Sequence, residues 1–370
     1  DVYISEAIAK NLTAKAAPDG NYYDCIELHN RGSETVSLSG CALSDNPKNP
    51  AKWVFPEGIS LAPGEYLVVY ASENNSKVEK GDLHTNFNLS ADGASIYLFD
   101  ANGLLMDKLQ TGAFLGDMSY GIDADGNYAC FETATLGAAN GAGQKGVTAM
   151  VQFLTTPGIY DAEIEIALSA PAGETIHYTL DCTTPTESSP VYEGPIKASS
   201  NTVVRAISVR EGYVTNYSVS GTFLFRSDDV NHTLPVVTLV TDPANLWDEK
   251  TGIYAYGEQY DPDLAYGEAI TTANYWKSKE DEDAWERPGC LGVFDESGQQ
   301  VFSQNIGMRI AGSFGRGRAQ KGFNIFARDE YGDNRMEYPF FENLDFTEYK
   351  SIVDAPKKVG FFQTASGRSR

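Results

Sequence analysis

Positive charge is scarce in this sequence: 28 Lys and Arg stand against 51 Asp and Glu, a formal net charge of −23. Nucleic acids and anionic membranes are bound mainly by basic surface, so neither is expected as a partner. Long apolar runs are missing too, which excludes insertion by a membrane-spanning helix. Histidine is rare, and His29, His84, His177 and His232 are isolated from one another and from a second ligand. The five cysteines, Cys25, Cys41, Cys130, Cys182 and Cys290, include no CxxC pair. No metal site is therefore expected. An odd count leaves at least one free thiol, and Cys25 with Cys41 is the pair to check for a disulfide.

Glycine and tyrosine are plentiful, at 35 and 21 residues, and short runs of alternating polarity recur between Pro, Gly, Asn and Asp. That combination predicts a mainly β, multidomain chain. No leader is present, although Asp1 fits the residue left when one is removed, so export is compatible with the sequence.

Strand-like runs at 25–30 (CIELHN), 35–38, 66–70 (YLVVY) and 95–99 (SIYLF) have the spacing of a β-sandwich. Residues 123–127 (DADGN) read as a hairpin turn and not as a calcium loop, because the glycine comes early and a strand-like run comes next. The Asn-x-Ser/Thr sequons at Asn11, Asn88, Asn216 and Asn231 recur readily by chance. With 24–30 (DCIELHN), 38–45 (LSGCALSD), 53–70, 87–107 and 119–121 in this order, residues 1–140 resemble the lamin-tail domain family. The resemblance implies an immunoglobulin-like sandwich serving secreted bacterial proteins as an attachment module, without catalysis. At Cys25 and Cys41 the family has large aromatic residues, so rearranged packing is expected there.

Residues 141–150 (GAGQKGVTAM) are small and aperiodic, a linker. Alternation at 163–168, 175–180, 202–209 and 218–225 then predicts at least four strands within 151–226. The runs YTLDCTTPT, SPVYEGPI and VVRA resemble the C-terminal domain of chitobiases and β-hexosaminidases, a fibronectin type III-like sandwich acting as spacer or carbohydrate-proximal accessory. Asp161, Glu163 and Glu165 lie two apart on a strand and read as an exposed face, not a glycosidase pair.

After a second linker at 227–233, an apolar run opens residues 234–353, with a helical turn expected at 244–248 and Trp247, Trp276 and Trp285 as packing anchors. Its densest chemistry is at 307–332, GMRIAGSFGRGRAQKGFNIFARDEYG. Two strand-like runs flank a glycine-rich loop carrying Arg309, Arg316, Arg318 and Lys321. Glycine admits close backbone approach to an anion and guanidinium forks match phosphate oxygens, so these four are candidate cofactor-binding residues; a solvated turn is the alternative. A Walker A loop is not met, since Arg318 stands in the lysine position and Ala319 replaces Ser or Thr; the kinase GxGxxG pattern fails at Gln320.

The segments LPVVTLVTDPANLWD, TGIY, WERP, the loop run itself and YPFF resemble the CotH kinase family, named for a spore-coat protein. That resemblance implies an atypical kinase-like α+β domain, of which this is the β-rich N-terminal part, phosphorylating proteins with ATP and Mg. No catalytic residue is assigned, because the family's metal-holding carboxylates lie beyond this sequence and residues 345–347 (DFT) are not a DFG motif. The tail at 354–370 carries four cations against one acid, unlike the preceding sequence, and reads as a truncation or altered frame. The expected whole is an extracellular or cell-surface protein, with surface or coat proteins or cell-wall and extracellular carbohydrate as partners. Its alternative is a non-enzymatic surface scaffold.

Overall fold

Period-two alternation builds the first sandwich. In the strand Asp24–Asn30, Ile26 and Leu28 point to the core while Cys25, Glu27 and His29 point to the opposite face. The computed structural model describes residues 1–75, 77–79, 82–226, 234–279, 281, 284–341 and 344–354. The expected linker at 227–233, with the Asn231 sequon, and the tail from residue 355 lie outside them. The chain is mainly β, in several sheets whose strand pairings, among the described residues, are antiparallel except that of Gly158–Tyr160 with Val219–Phe225. It divides into two compact units, Asp1–Val147 with Glu211–Val214, and Thr148–Arg210 with Thr215–Arg370.

In the first unit a five-stranded sheet runs in the order Tyr128–Phe131, Ser119–Ile122, Val2–Ile8, Asp24–Asn30, Tyr66–Ala71. A four-stranded sheet, Leu105–Gln110, Ser95–Phe99, Ala42–Ser44 and Trp53–Val54, faces it across the core. Ile4, Ile26, Leu28 and Val69 meet Leu43, Trp53, Ile96 and Leu98 there, each at most 1% exposed. Burial of such side chains stabilises by about 1.5–3 kcal/mol apiece. A β-bulge between Ile4 and Glu6 shifts the phase of the first strand, so Glu6 pairs with Glu27 on the outer face while Ala7 returns to the core. The turn at 123–127 is as expected: Asp123 Oδ1 accepts from the amides of Asp125 (3.0 Å) and Asn127 (2.8 Å), and Gly126 takes φ +85°.

Cys25 and Cys41 are separated by the sheet. Cys41 packs in the sandwich core, and Cys25 lies on the outer face against Ile8, Ala17 and Tyr70. The aromatic bulk missing at Cys25 is supplied beside it, where Tyr23, Tyr70 and His84 pack with ring centroids 5.1–6.4 Å apart. The Asn11 amide is buried and donates to the carbonyls of Lys15 and Tyr23, both at 2.7 Å, so this sequon is part of the fold.

The second unit contains the other sandwich and a further sheet. The sandwich sheet orders Gly158–Tyr160, Val219–Phe225, Thr202–Val209, Thr175–Thr179, with the first pair parallel. Two-stranded pairs, Gln152–Phe153 with Leu168–Ser169 and Ile164–Ile166 with Ile196–Ala198, complete it around Ile166, Val204 and Phe223. The further sheet is antiparallel, in the order Val236–Val240, Arg287–Phe294, Gln300–Ala311, Gly322–Phe326, Ser351–Asp354. Asn305 Nδ2 donates to Ser218 O at 3.1 Å, Thr184 N to Asp242 Oδ2 at 2.9 Å, and Leu224 packs with Val236 and Phe294. Sandwich and sheet thus share polar and apolar contacts.

Among the described residues three short α-helices lie between these strands. Pro243–Trp247 is the expected turn, capped by Asp242, whose carboxylate accepts from Ala244 N. Tyr266–Thr272 and Asn274–Lys277 were not expected from sequence, since one or two helical turns leave no readable period. Trp276 is buried, but Trp247 is 44% exposed and anchors little.

No disulfide joins any of the five cysteines; four are buried and Cys182 is intermediate. Burial raises each thiol, so little thiolate forms in the folded state. Labelling with an aromatic disulfide at pH 8 should modify Cys182 first and the remaining four only after denaturant is added. Fast native labelling of several cysteines would contradict this packing.

Candidate functional site

The candidate loop is shaped by where its cations can be buried. The strand Gln300–Ala311 delivers Arg309, the chain turns at Gly312 with φ +90°, and a single 3-10 turn, Phe314–Gly317, carries Arg316. Arg318 comes next on an exposed stretch, and Lys321 sits immediately before the strand Gly322–Phe326.

Arg309 is 6% exposed, its Nε 3.4 Å from Glu286 Oε2 and its guanidinium 4.2 Å from the Phe326 ring centroid. Glu286 is the hub of this cluster. Arg328 grips it with both prongs, Nε to Oε1 at 2.7 Å and Nη2 to Oε2 at 2.9 Å, and Tyr331 donates to Oε1 at 3.2 Å. This fork geometry is the strong form of the carboxylate–arginine bond. The hydrogen bond to Glu286 holds Arg328 above its usual value, and burial, followed by Glu330 and Glu286, raises the Tyr331 phenol. Gly307 makes room: a Cβ there would lie 2.1 Å from Glu286 Oε1 and 2.5 Å from the Tyr331 ring.

Arg316 and Lys321 belong to a second cluster. Arg316, 6% exposed, donates from Nε to Gly312 O at 2.5 Å, and from Nη1 to Tyr275 O at 3.3 Å and to Ser278 Oγ. Lys321 Nζ donates to Arg318 O at 2.7 Å and lies 4.1 and 4.8 Å from the ring centroids of Tyr275 and Tyr254. Among the described residues it pairs with no carboxylate, and burial pushes it down to about 8. Tyr254 fixes the same stretch, accepting from Lys321 N at 3.0 Å and donating to Ala319 O at 2.7 Å. Tyr266 donates to Gly317 O at 3.4 Å.

Of the four residues singled out in the sequence, Arg316 and Lys321 therefore meet around Tyr275, Arg309 sits with Glu286, and Arg318 is on the surface. Sequence reasoning missed Glu286, Arg328, Tyr254 and Tyr275, although Glu286 and Arg328 stand in the quoted runs WERP and NIFARDEYG. Their role depends on strand register, which places Arg287 beside Met308 and Gly307 beside Phe326. Among the described residues no group of three His, Cys, Asp or Glu is placed to hold a metal ion.

The sheets define a modular, mainly β protein consistent with immunoglobulin-like sandwiches. Residues 1–113 match the model of the Lamin Tail Domain, and residues 155–220 that of the Chitobiase/beta-hexosaminidase C-terminal domain. No curated protein matches the chain. Among solved structures, the sialic acid binding region of the Streptococcus sanguinis SK1 adhesin, bound to 3'sLn, is aligned over 89% of this chain and 91% of that one. At 8% identity and a TM-score of 0.15, the two backbones do not superpose as one fold.

Removing the Glu286 charge takes away the carboxylate 3.4 Å from the buried Arg309 and the bidentate acceptor of Arg328. Glu286→Gln should therefore cost about 3–5 kcal/mol of stability in the second unit, read from its urea midpoint. Arg328→Gln, at a half-exposed position, should cost clearly less. Equal, small effects would show that Glu286 is not the hub.

Proposed function

We propose that the chain is the binding and positioning part of a cell-surface or secreted protein, without catalysis of its own. In this reading the two sandwiches attach to cell-wall or extracellular carbohydrate, or to surface and coat proteins, and the further sheet that carries the loop is what they present. The observation that carries it is the disposition of the loop cations. Arg309 is committed to Glu286, Arg316 to backbone carbonyls and Ser278, and Lys321 to a carbonyl between two tyrosine rings. Cations spent in this way hold a loop in place and do not offer a ready phosphate cradle.

A second reading keeps the relation to CotH-type kinases suggested by the sequence of 234–353. What favours it is Lys321 itself, a buried ammonium without a carboxylate partner among the described residues, next to the exposed Arg318. A complete domain of that kind would use ATP and Mg, with Arg318 and Lys321 contacting phosphate.

Calorimetry with Mg·ATP separates the two. The positioning reading expects no saturable heat from the folded chain. Saturable binding that disappears in an Arg318→Ala, Lys321→Ala variant would instead establish the second reading. Retention on insoluble cell-wall polysaccharide would then identify the attachment partner.

A further inference from the structure

In the first unit the β-bulge brings Glu6 and Glu27 opposite each other on adjacent strands, both 0% exposed. Buried carboxyls normally have a cation at hand. Among the described residues neither has one within ion-pair distance. Their oxygens are met by neutral donors, most of them on the segment after the strand Tyr128–Phe131. Glu6 accepts from Thr135 N at 2.9 Å, Thr135 Oγ1 at 3.1 Å and Ser119 Oγ. Glu27 accepts from Ser5 Oγ at 2.7 Å and from the Gly137 amide.

The same segment is tied down around this pair. Asn140 Nδ2 donates to Ser5 O and Ile122 O, both at 2.9 Å, and its Oδ1, 2.5 Å from Thr135 Oγ1, competes with Glu6 for the single proton of that hydroxyl. Gly121 permits the approach, since a Cβ there would lie 2.1 Å from Ser5 O and 3.0 Å from Asn140 Nδ2. Ala134 and Leu136 add apolar contacts with the cluster of Ile8, Cys25 and Tyr70.

We infer that Glu6 and Glu27 form a proton-dependent latch that holds residues 134–140 across the outer face of the sheet and loosens as both carboxyls ionise. Two adjacent carboxylates cut off from water repel one another and lose hydration that neutral donors replace only in part. A proton on either carboxyl removes the repulsion. The ionisable groups facing the pair do little to relieve it. Lys15 alone favours the charged form of Glu27, and the nearby Tyr3, Tyr66 and Cys25 carry no positive charge.

Burial raises both carboxyls, Glu27 to about 7. A raised folded-state value means that the protonated latch contributes fully below the ordinary glutamate value of 4.5 and loses that contribution as pH rises toward about 7.

Hydrogen exchange on the full chain tests this, with rates corrected for the intrinsic pH dependence of exchange. Protection of residues 134–140 should fall roughly a hundredfold between pH 5 and pH 7.5, while the strand Tyr66–Ala71 keeps its protection. In Glu27→Gln the dependence should flatten. Glu6→Gln is the second variant if Glu27→Gln does not fold. A wild-type segment with no pH-dependent loss beyond the intrinsic rate, or a folded Gln variant that retains the wild-type dependence, would overturn the latch.

Discussion

A charge removed from water must be met by an opposite charge or by dipoles aimed at it, and this requirement governs both units. In the second unit Glu286 answers it with a full counter-charge, Arg309 and a bidentate Arg328. The carboxylate is reached only because Gly307 leaves its side of the strand open. Strand register, glycine placement and the aromatic Phe326 under Arg309 are therefore parts of one arrangement. Arg316 and Lys321 meet the same requirement with carbonyls and tyrosine rings, a weaker solution that depends on the exact path of the loop.

In the first unit the described residues place no counter-charge against the buried pair. Glu6 and Glu27 are surrounded by hydroxyls and amides, and the molecule holds them by raising their affinity for a proton. Here the segment closing one face of the sandwich is bound through titratable groups, so its rigidity is tied to pH.

Much of the architecture was legible from sequence because it rests on local rules. Period-two alternation marked runs such as 66–70 and 95–99, and Asp-Gly chemistry marked the turn at 123–127. The helices Tyr266–Thr272 and Asn274–Lys277 escaped because each is too short to show a period. The chemistry of the sites was less legible. Glu6 and Glu27 are 21 positions apart and become neighbours only through a bulge that sequence does not announce. Arg316 and Arg318 look equivalent in GRGR, yet one faces the protein and the other faces solvent, because a single 3-10 turn separates their directions. Exposure, which decides whether a cation can meet a phosphate, was set by that turn and not by residue type.

The central claim is that the loop cations serve the fold before they serve any ligand. Comparing the unfolding midpoints of Arg316→Ala and Arg318→Ala tests it most directly. Arg316→Ala should destabilise the second unit by about 2–4 kcal/mol, the cost of losing a buried, multiply bonded guanidinium. Arg318→Ala should stay within about 0.5 kcal/mol of the wild type, as an exposed substitution does. Two equally stable variants would contradict the account and return the glycine-rich loop to the role of a ligand-binding element.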